Sequence, residues 1–419
     1  MQKTDIIVCG GGMVGLTLGL AAAQGGLSVA VVDALAPEAV LAESFDGRVS
    51  ALAYASVRML TALGVWRHLE PHAQPICEIL VTDGKPGQPA SPFSLHFDAG
   101  EIGAATLGHI AENRHIRAAL YAAMPPGLTL IAPAAVTGLE NIPGGVIAHL
   151  GNGESVKAAL AVAADGRESK LRAEMGIGVI GWSYPQTGIV ATVAHERPHN
   201  GVAYEHFLPS GPFAILPMTA NRSSLVWTEA KNKAPAMLAL DQADFDAEVA
   251  RRFGPHLGAT HVVAAPEAPF NNGAHPRPGR WSYPLSFHLA RDFVRPRFAL
   301  AGDCAHGIHP IAGQGLNLGL KDAAALAETV LDAARLGRDI GALDTLKRYE
   351  RWRRFDSLAL AASTDALNRL FSNDIAPLRH LRDLGLGIVD AVGPARRFFM
   401  RHAGGDVGKL PRLLKGEAA

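Results

Sequence analysis

Apolar runs that stop abruptly at a glycine or an acid, each followed by helical periodicity, organise the first and last parts of this chain. The run at 5–9 leads into Gly10-Gly11-Gly12-Met13-Val14-Gly15. Leu16, Leu18, Leu20, Ala21 and Ala23 then follow at helical spacing up to Gly25-Gly26, and a second run at 28–32 ends in Asp33. That pattern predicts strand, helix and strand. A similar unit lies late in the chain: 298–301 stops at Gly302-Asp303, a rigid His309-Pro310 turn follows, and Gly313 and Gly315 precede a helix from Leu316 onward. Between these units, alternating runs at 189–193, 203–207, 213–217 and 223–227 predict an antiparallel sheet. Shorter runs at 79–81 and 93–97 predict further strands, 113–120 and 235–255 predict helices, and 266–281 reads as irregular.

The first unit carries candidate chemistry. Gly10, Gly12 and Gly15 fit the G-x-G-x-x-G of a Rossmann-like dinucleotide fold. In such a loop the first glycine makes the tight turn, the second lets a pyrophosphate approach backbone N–H groups, and the third allows close helix–strand packing. Asp33 stands where an acid holds adenosine ribose hydroxyls. The fingerprint does not separate FAD from NAD. In the late unit, Gly313 and Gly315 would let bare backbone approach something flat, and the helix after them aims its positive end there. A reduced isoalloxazine, negative near N1 and O2, suits such a place, and Asp303 at a strand end would accept hydrogen bonds from ribityl hydroxyls. An ordinary strand-loop-helix crossover is the alternative.

Three other positions stand out. The run at 160–164 ends in Asp165-Gly166, which repeats the acid-glycine logic, although a helix N-cap acid reads the same way. Arg48 precedes a short amphipathic helix, either reaching a phosphate or carbonyl or standing as a surface arginine. Arg114 falls in the first turn of a helix, where the dipole disfavours a cation, and so calls for an anionic or carbonyl partner.

Composition narrows the class. With 419 residues, 48% of them hydrophobic, the chain can bury more than one core. Its 39 basic and 39 acidic residues balance, which gives a nucleic-acid partner no support. Three widely spaced cysteines, Cys9, Cys77 and Cys304, argue against a disulfide framework or thiolate metal site and fit a reducing cytosol. His306 and His309 have a spacing that suits metal, but no third ligand stands out and none is expected. Met1 to Asp5 run directly into a strand, so no signal peptide is expected, and no apolar stretch reaches the roughly 20 residues of a spanning helix.

Taken together, Gly10 to Gly15, Asp165-Gly166 with Ser169 and Arg172, and Gly302-Asp303 resemble the three signatures of the class A flavoprotein monooxygenases, the aromatic-hydroxylase type. The finer resemblance is to the ubiquinone-biosynthesis hydroxylases (UbiH/UbiF/UbiI type). It is carried by Asp46-Gly47-Arg48, Glu112-Asn113-Arg114, Tyr184-Pro185-Gln186, Phe207 to Pro212 with Leu216-Pro217, and above all the 302–317 stretch. Matches continue at Thr364-Asp365-Ala366-Leu367 and Phe371-Ser372-Asn373.

This resemblance implies FAD as cofactor and NADPH or NADH as electron donor. It implies an α/β fold with a discontinuous FAD-binding domain (1–75, 101–178, 276–345), a substrate-binding antiparallel-sheet domain (76–100, 179–275) and a C-terminal helical region (346–419). Gly10, Gly12, Gly15, Asp33, Arg48, Arg114, Asp165, Gly302, Asp303, Gly313, Gly315, Leu316 and Asn317 are the cofactor residues it points to, with Asp33 in place of the family's usual glutamate. Pro310 resembles the proline facing the ring, and His306 is a candidate proton acceptor or a structural histidine. Tyr184, Phe207 and Leu216 are expected substrate walls.

The implied reaction is hydroxylation of a polyprenylated phenol by dioxygen through a flavin C4a-hydroperoxide. A flavin reductase or dehydrogenase, or a non-catalytic FAD-binding component of a lipid-biosynthesis complex, are the other readings. Partners of the implied activity are the phenol, dioxygen and other ubiquinone-biosynthesis proteins. The location implied is cytoplasmic, with a peripheral contact on the inner face of the plasma membrane. Residues 377–415 interleave apolar residues (Leu378, Leu381, Leu384, Ile388, Phe398, Phe399) with arginines and lysines, which suits an anionic lipid surface or a helix packed on the FAD domain.

Overall fold

A computed structural model of the chain describes residues 1–42, 47–88, 91–263 and 279–419. Asp46, most of the 266–281 stretch and the expected domain boundary at 275/276 lie outside the described residues. The first apolar runs form a parallel sheet in the order Phe298–Leu300, Ser155–Ala163, Gln2–Cys9, Val29–Val32, Leu128–Ile131. Every residue of Val29–Val32 is buried, as is the second half of Gln2–Cys9, because both faces of a parallel sheet are covered. Helices Met13–Gln24 and Gln314–Arg335 contribute to the same core.

The register brings the candidate motifs together. Cys9 lies opposite both Val32 and Ala163, and Ala163 lies opposite Leu300. Gly10, Asp33, Asp165 and Gly302-Asp303, far apart in sequence, therefore leave the carboxyl ends of four neighbouring strands, where open α/β sheets bind ligands.

A second sheet runs in the order His306–Gly307, Arg280–Ala290, Val179–His195, Arg222–Ala230, Gly211–Met218, Val202–Leu208, Glu78–Asp83, Leu95–Asp98. Its alternation divides the two faces. Ile189, Ala191, Val193, Phe213, Ile215, Leu225 and Trp227 build a core with the helices Ala234–Ala239 and Gln242–Phe253. The opposite face turns toward the loops of the first sheet. A third, three-stranded sheet of Val49–Ala53, Gly108–Glu112 and Ala73–Ile76 was not expected from the pattern. Its strands are short, and their pairing comes from residues more than 30 positions away, beyond the reach of local periodicity.

The helix Leu343–Phe371 clamps the two large sheets together. Tyr349 donates its hydroxyl to the Leu300 carbonyl (2.7 Å), Tyr184 donates to Asp365 (2.9 Å), Asn368 donates to Gln186 (2.9 Å), and Phe207 stacks on Phe371 with centroids 4.1 Å apart. The separate motifs Tyr184-Pro185-Gln186, Phe207 and 364–373 are thus the two sides of one contact. Beyond it lie helices Ala376–Ala391 and Gly393–Ala403. Among the described residues, no helix is long and apolar enough to cross a membrane.

Candidate active site

Gly10 adopts φ +116°, and a Cβ there would lie 2.3 Å from the Ala164 carbonyl oxygen. A Cβ at Gly15 would lie 1.9 Å from the Gly10 carbonyl oxygen, so helix Met13–Gln24 sits directly on the turn. Gly12 differs: a Cβ there would meet nothing within 4 Å. Two glycines fill packing space while the middle one faces an open place at a helix N-terminus, which is what a pyrophosphate requires. Asp33 accepts from Gly11 N–H (2.6 Å) and from Leu35 N–H (2.8 Å). It therefore braces the loop, and its carboxylate keeps lone pairs for ribose hydroxyls.

The Asp165 and Asp303 segments are tied by Arg172, whose Nη1 donates to the carbonyls of Arg167 (3.0 Å) and Cys304 (2.9 Å). Asp165 is exposed beside the Gly10 turn. The Asp303 side chain is also exposed, while its carbonyl is held by His288 Nε2 (2.7 Å). Cys304 is buried, and burial pushes its thiol well above the usual range, so it is an unreactive filler. Gly302 N–H donates to Asp322 (3.0 Å), the same carboxylate that holds His306 Nε2 (2.5 Å) and Arg353 Nε (2.8 Å). His306 is thereby fixed by a buried acid.

Gly313, at φ +62°, caps helix Gln314–Arg335, and a Cβ at Gly315 would meet nothing within 4 Å. Asn317 uses its side chain inside the protein: Oδ1 accepts from Ala53 N–H (2.9 Å) and Ser56 Oγ (2.8 Å), and Nδ2 donates to the Ala51 carbonyl (2.8 Å). It anchors strand Val49–Ala53 to the helix start, leaving the backbone of 313–316 as the surface open to a ring. Asn113 N–H donates to the Arg48 carbonyl (3.1 Å), so Arg48 and Arg114 emerge side by side. The partner sought for Arg114 includes Glu112, 2.7 Å from its Nε, and Glu112 also accepts from Arg222 (3.2 Å).

A cavity of about 250 Å³ opens between the late loop and the second sheet. Asp303, His306, Pro310, Gly313, Gly315 and Leu316 line one side, and Glu205, Ala214, Leu216 and Val226 the other. Of the three expected wall residues only Leu216 lies there. Tyr184 and Phe207 are placed outside the lining because both are spent on helix Leu343–Phe371. Glu205 and Arg167 line the cavity and were not singled out from sequence. For Glu205 the signal was present, as an acid within an alternating apolar strand.

The family model described as FAD binding domain matches residues 3–355. Ubiquinone hydroxylase UbiL of Rhodospirillum rubrum is 49% identical over 99% of this chain and 93% of that protein. The chain belongs to the FAD-dependent ubiquinone hydroxylase family. Two other members are the 3-demethoxyubiquinol 3-hydroxylase of Escherichia coli, 34% identical over 96% of this chain and 98% of its own length, and human ubiquinone biosynthesis monooxygenase COQ6, 31% identical over 95% and 92%. The fold is also that of p-nitrophenol 4-monooxygenase PnpA from Pseudomonas putida, with a TM-score of 0.76 at 17% identity over 98% of this chain and 100% of the other.

In this family member, the open positions at Gly12 and Gly315 fit the pyrophosphate and the isoalloxazine of FAD. FAD bound there supplies the redox chemistry with dioxygen. The chain's own groups would do the rest: Gly10 to Gly15 would receive the pyrophosphate, Asp303 would face the polyol, and the 314–316 backbone would offer N–H groups to a negatively charged ring edge, the Gly313 N–H being held by the Pro310 carbonyl (3.0 Å).

Buried and half-buried histidines contribute to the pH response of the fold. His109, His115, His195, His206, His256, His288 and His309 all have their pKa lowered, chiefly by burial, His309 to about 4. The fold favours their neutral forms, whereas in the unfolded chain they charge near pH 6.5, so the unfolded chain binds more protons below that value. The stability they contribute is present above about pH 6.5 and is lost as pH falls toward the folded values. Glu205, pushed up to about 7 by burial, acts with the opposite sign as a single group. The unfolding midpoint in urea is therefore expected to fall between about pH 7 and 5, and His309→Phe is expected to flatten that fall. A midpoint that rises on acidification contradicts this.

Proposed function

We propose that the protein is an FAD-dependent monooxygenase that hydroxylates the aromatic ring of a polyprenylated phenol in ubiquinone biosynthesis, using dioxygen and electrons from NADPH or NADH. The observation that carries this reading is the cavity, one wall of which is the glycine-rich loop offered to FAD and the other a sheet face that is apolar except for one acid. An aromatic ring placed there lies beside the cofactor and away from water, which oxygen transfer needs. The activities for which the relatives are named support the same reaction class. Mass-spectrometric profiling of quinone intermediates after deletion of the gene tests it. Accumulation of one under-hydroxylated polyprenylphenol, rescued by wild type and not by Asp303→Ala, is expected. An unchanged profile contradicts the assignment.

We further infer that the substrate is met at a membrane surface by the C-terminal helices. Leu384, Ile388, Phe398 and Phe399 are exposed there, next to exposed Arg397 and Arg401. The basic residues are not all available. Arg382 is buried on Asp83 (2.6 Å), Arg396 is held by Glu101 (2.9 Å), and Arg412 by Asp332 (2.6 Å). Phe398→Ser with Phe399→Ser is expected to reduce sedimentation with anionic vesicles about tenfold or more, since transfer of two exposed aromatic side chains into lipid contributes well over about 1.4 kcal/mol. Undiminished sedimentation contradicts the inference.

A further inference from the structure

Glu205 sits where an apolar side chain would be expected. It lies directly opposite Ala214 on the adjacent strand, Ala214 lies opposite Val226 on the next, and all three line the cavity as one cross-strand row. On its other side it lies opposite Val81. No hydrogen bond or ion pair holds its carboxyl among the described residues, and burial alone pushes its pKa up to about 7. An unpaired acid in such a row weakens the sheet face without helping to fold it.

The charged groups around it are occupied or turned away. On its own strand, Tyr204 and His206 point to the other face, where His206 meets Thr82 (2.6 Å) and Tyr204 packs on His256. On the Glu78–Asp83 strand, Glu78 is held by His96 and Asp83 by Arg382; on the Arg222–Ala230 strand, Arg222 is held by Glu112 and Glu229 faces Arg252. The Gly211–Met218 strand has no titratable side chain. Across the cavity stand Arg167, bonded to Ser286, His306, bonded to Asp322, and Asp303. Glu205 thus shares with Pro310 and Leu316 the cavity assigned to the aromatic ring, and its carboxyl has no hydrogen-bond or ion-pair partner among the described residues.

We propose that Glu205 is a catalytic residue: the base that takes the hydroxyl proton of the phenol substrate and returns it once the ring has received oxygen. This rests on the phenol-hydroxylase reading above. In the forward step the phenol O–H bond breaks, a carboxyl O–H bond forms, and the electron pair stays on the phenol oxygen, which enriches the ring carbons ortho and para to it. No redox change occurs in that step, because dioxygen and the reduced cofactor supply the oxidation. After oxygen has been added, the ring carbon loses its hydrogen as a proton, which leaves with the second oxygen atom of dioxygen as water, and the carboxyl returns its proton to the phenolate oxygen. A pKa near the working pH lets one group do both.

The test uses the FAD-loaded full-length protein with a short-chain prenylphenol, reading hydroxylated product, dioxygen consumption and infrared carboxyl absorption against pH. In the wild type, kcat/KM for product is expected to rise through a single ionisation near pH 7, together with loss of a protonated-carboxyl band. Glu205→Gln is expected to lose that ionisation and that band and to make product about 100-fold more slowly, while still consuming dioxygen. Glu205→Asp is expected to recover part of the rate and the ionisation, which a merely structural role would not produce. If Glu205→Gln fails to hold FAD, the Asp variant and the wild-type profile carry the test. A wild-type profile flat between about pH 6 and 8, or a Gln variant with wild-type rate and profile, overturns the proposal. A wild type that makes no hydroxylated phenol overturns the functional reading and this proposal with it.

Discussion

Gly15→Ala is expected to yield protein that purifies without FAD. The added methyl carbon would lie 1.9 Å from the Gly10 carbonyl oxygen, and Gly10 cannot give way because its own Cβ position is 2.3 Å from the Ala164 carbonyl. Helix and turn must separate, which moves the N–H groups that receive the pyrophosphate and costs about 1–3 kcal/mol of overpacking even without cofactor. Gly12→Ala is the informative partner. Its Cβ meets nothing within 4 Å, so the apoprotein is expected to keep its stability while the methyl group occupies cofactor space. Urea unfolding of the apoproteins and the flavin-to-protein absorbance ratio separate the two effects. Stoichiometric FAD in Gly15→Ala contradicts this geometry.

Asp322→Ala is expected to destabilise the fold by about 3–5 kcal/mol, the usual cost of stranding a buried partner charge. Asp322 and Arg353 have side-chain exposures of 0% and 1%, and Asp322 is the acid shared by Arg353, His306 and Gly302 N–H. Its carboxyl is held below the usual range by His306 and Arg353, which outweigh the cost of burial. Among the described residues Arg353 would keep only Asp356 (2.7 Å), a partly exposed acid that cannot replace a buried one. Because His306 lines the cavity and Gly302 precedes Asp303, the loss reaches the site as well as the fold. The urea midpoint measures it, and a loss below about 1 kcal/mol contradicts the account.

Much of the site was legible because its motifs are local. The glycines of 10–15, the acids at strand ends and the glycines of 313–315 announce themselves by spacing, and the parallel register needed only to bring the strand ends together. The roles that went unread depend on distant partners. Tyr184 and Phe207 look like cavity walls until Asp365 and Phe371 arrive from more than 160 residues away. The side chain of Asn317 also has a role the sequence does not show, because Ala51, Ala53 and Ser56 claim its amide. Arg382 looks like a lipid contact until Asp83 buries it. Glu205 was passed over for a different reason: periodicity locates a strand, but only the assembled sheet shows what its polar exception faces.

The central claim is that this cavity places an oxygen atom from dioxygen onto a prenylated phenol ring. Incubation of the FAD-loaded protein with a prenylphenol, NADPH or NADH and ¹⁸O₂, followed by mass spectrometry, tests it directly. A product carrying one atom of ¹⁸O on the ring is predicted. Oxidation of the nicotinamide with no labelled phenol would contradict the account and leave a flavin reductase in its place.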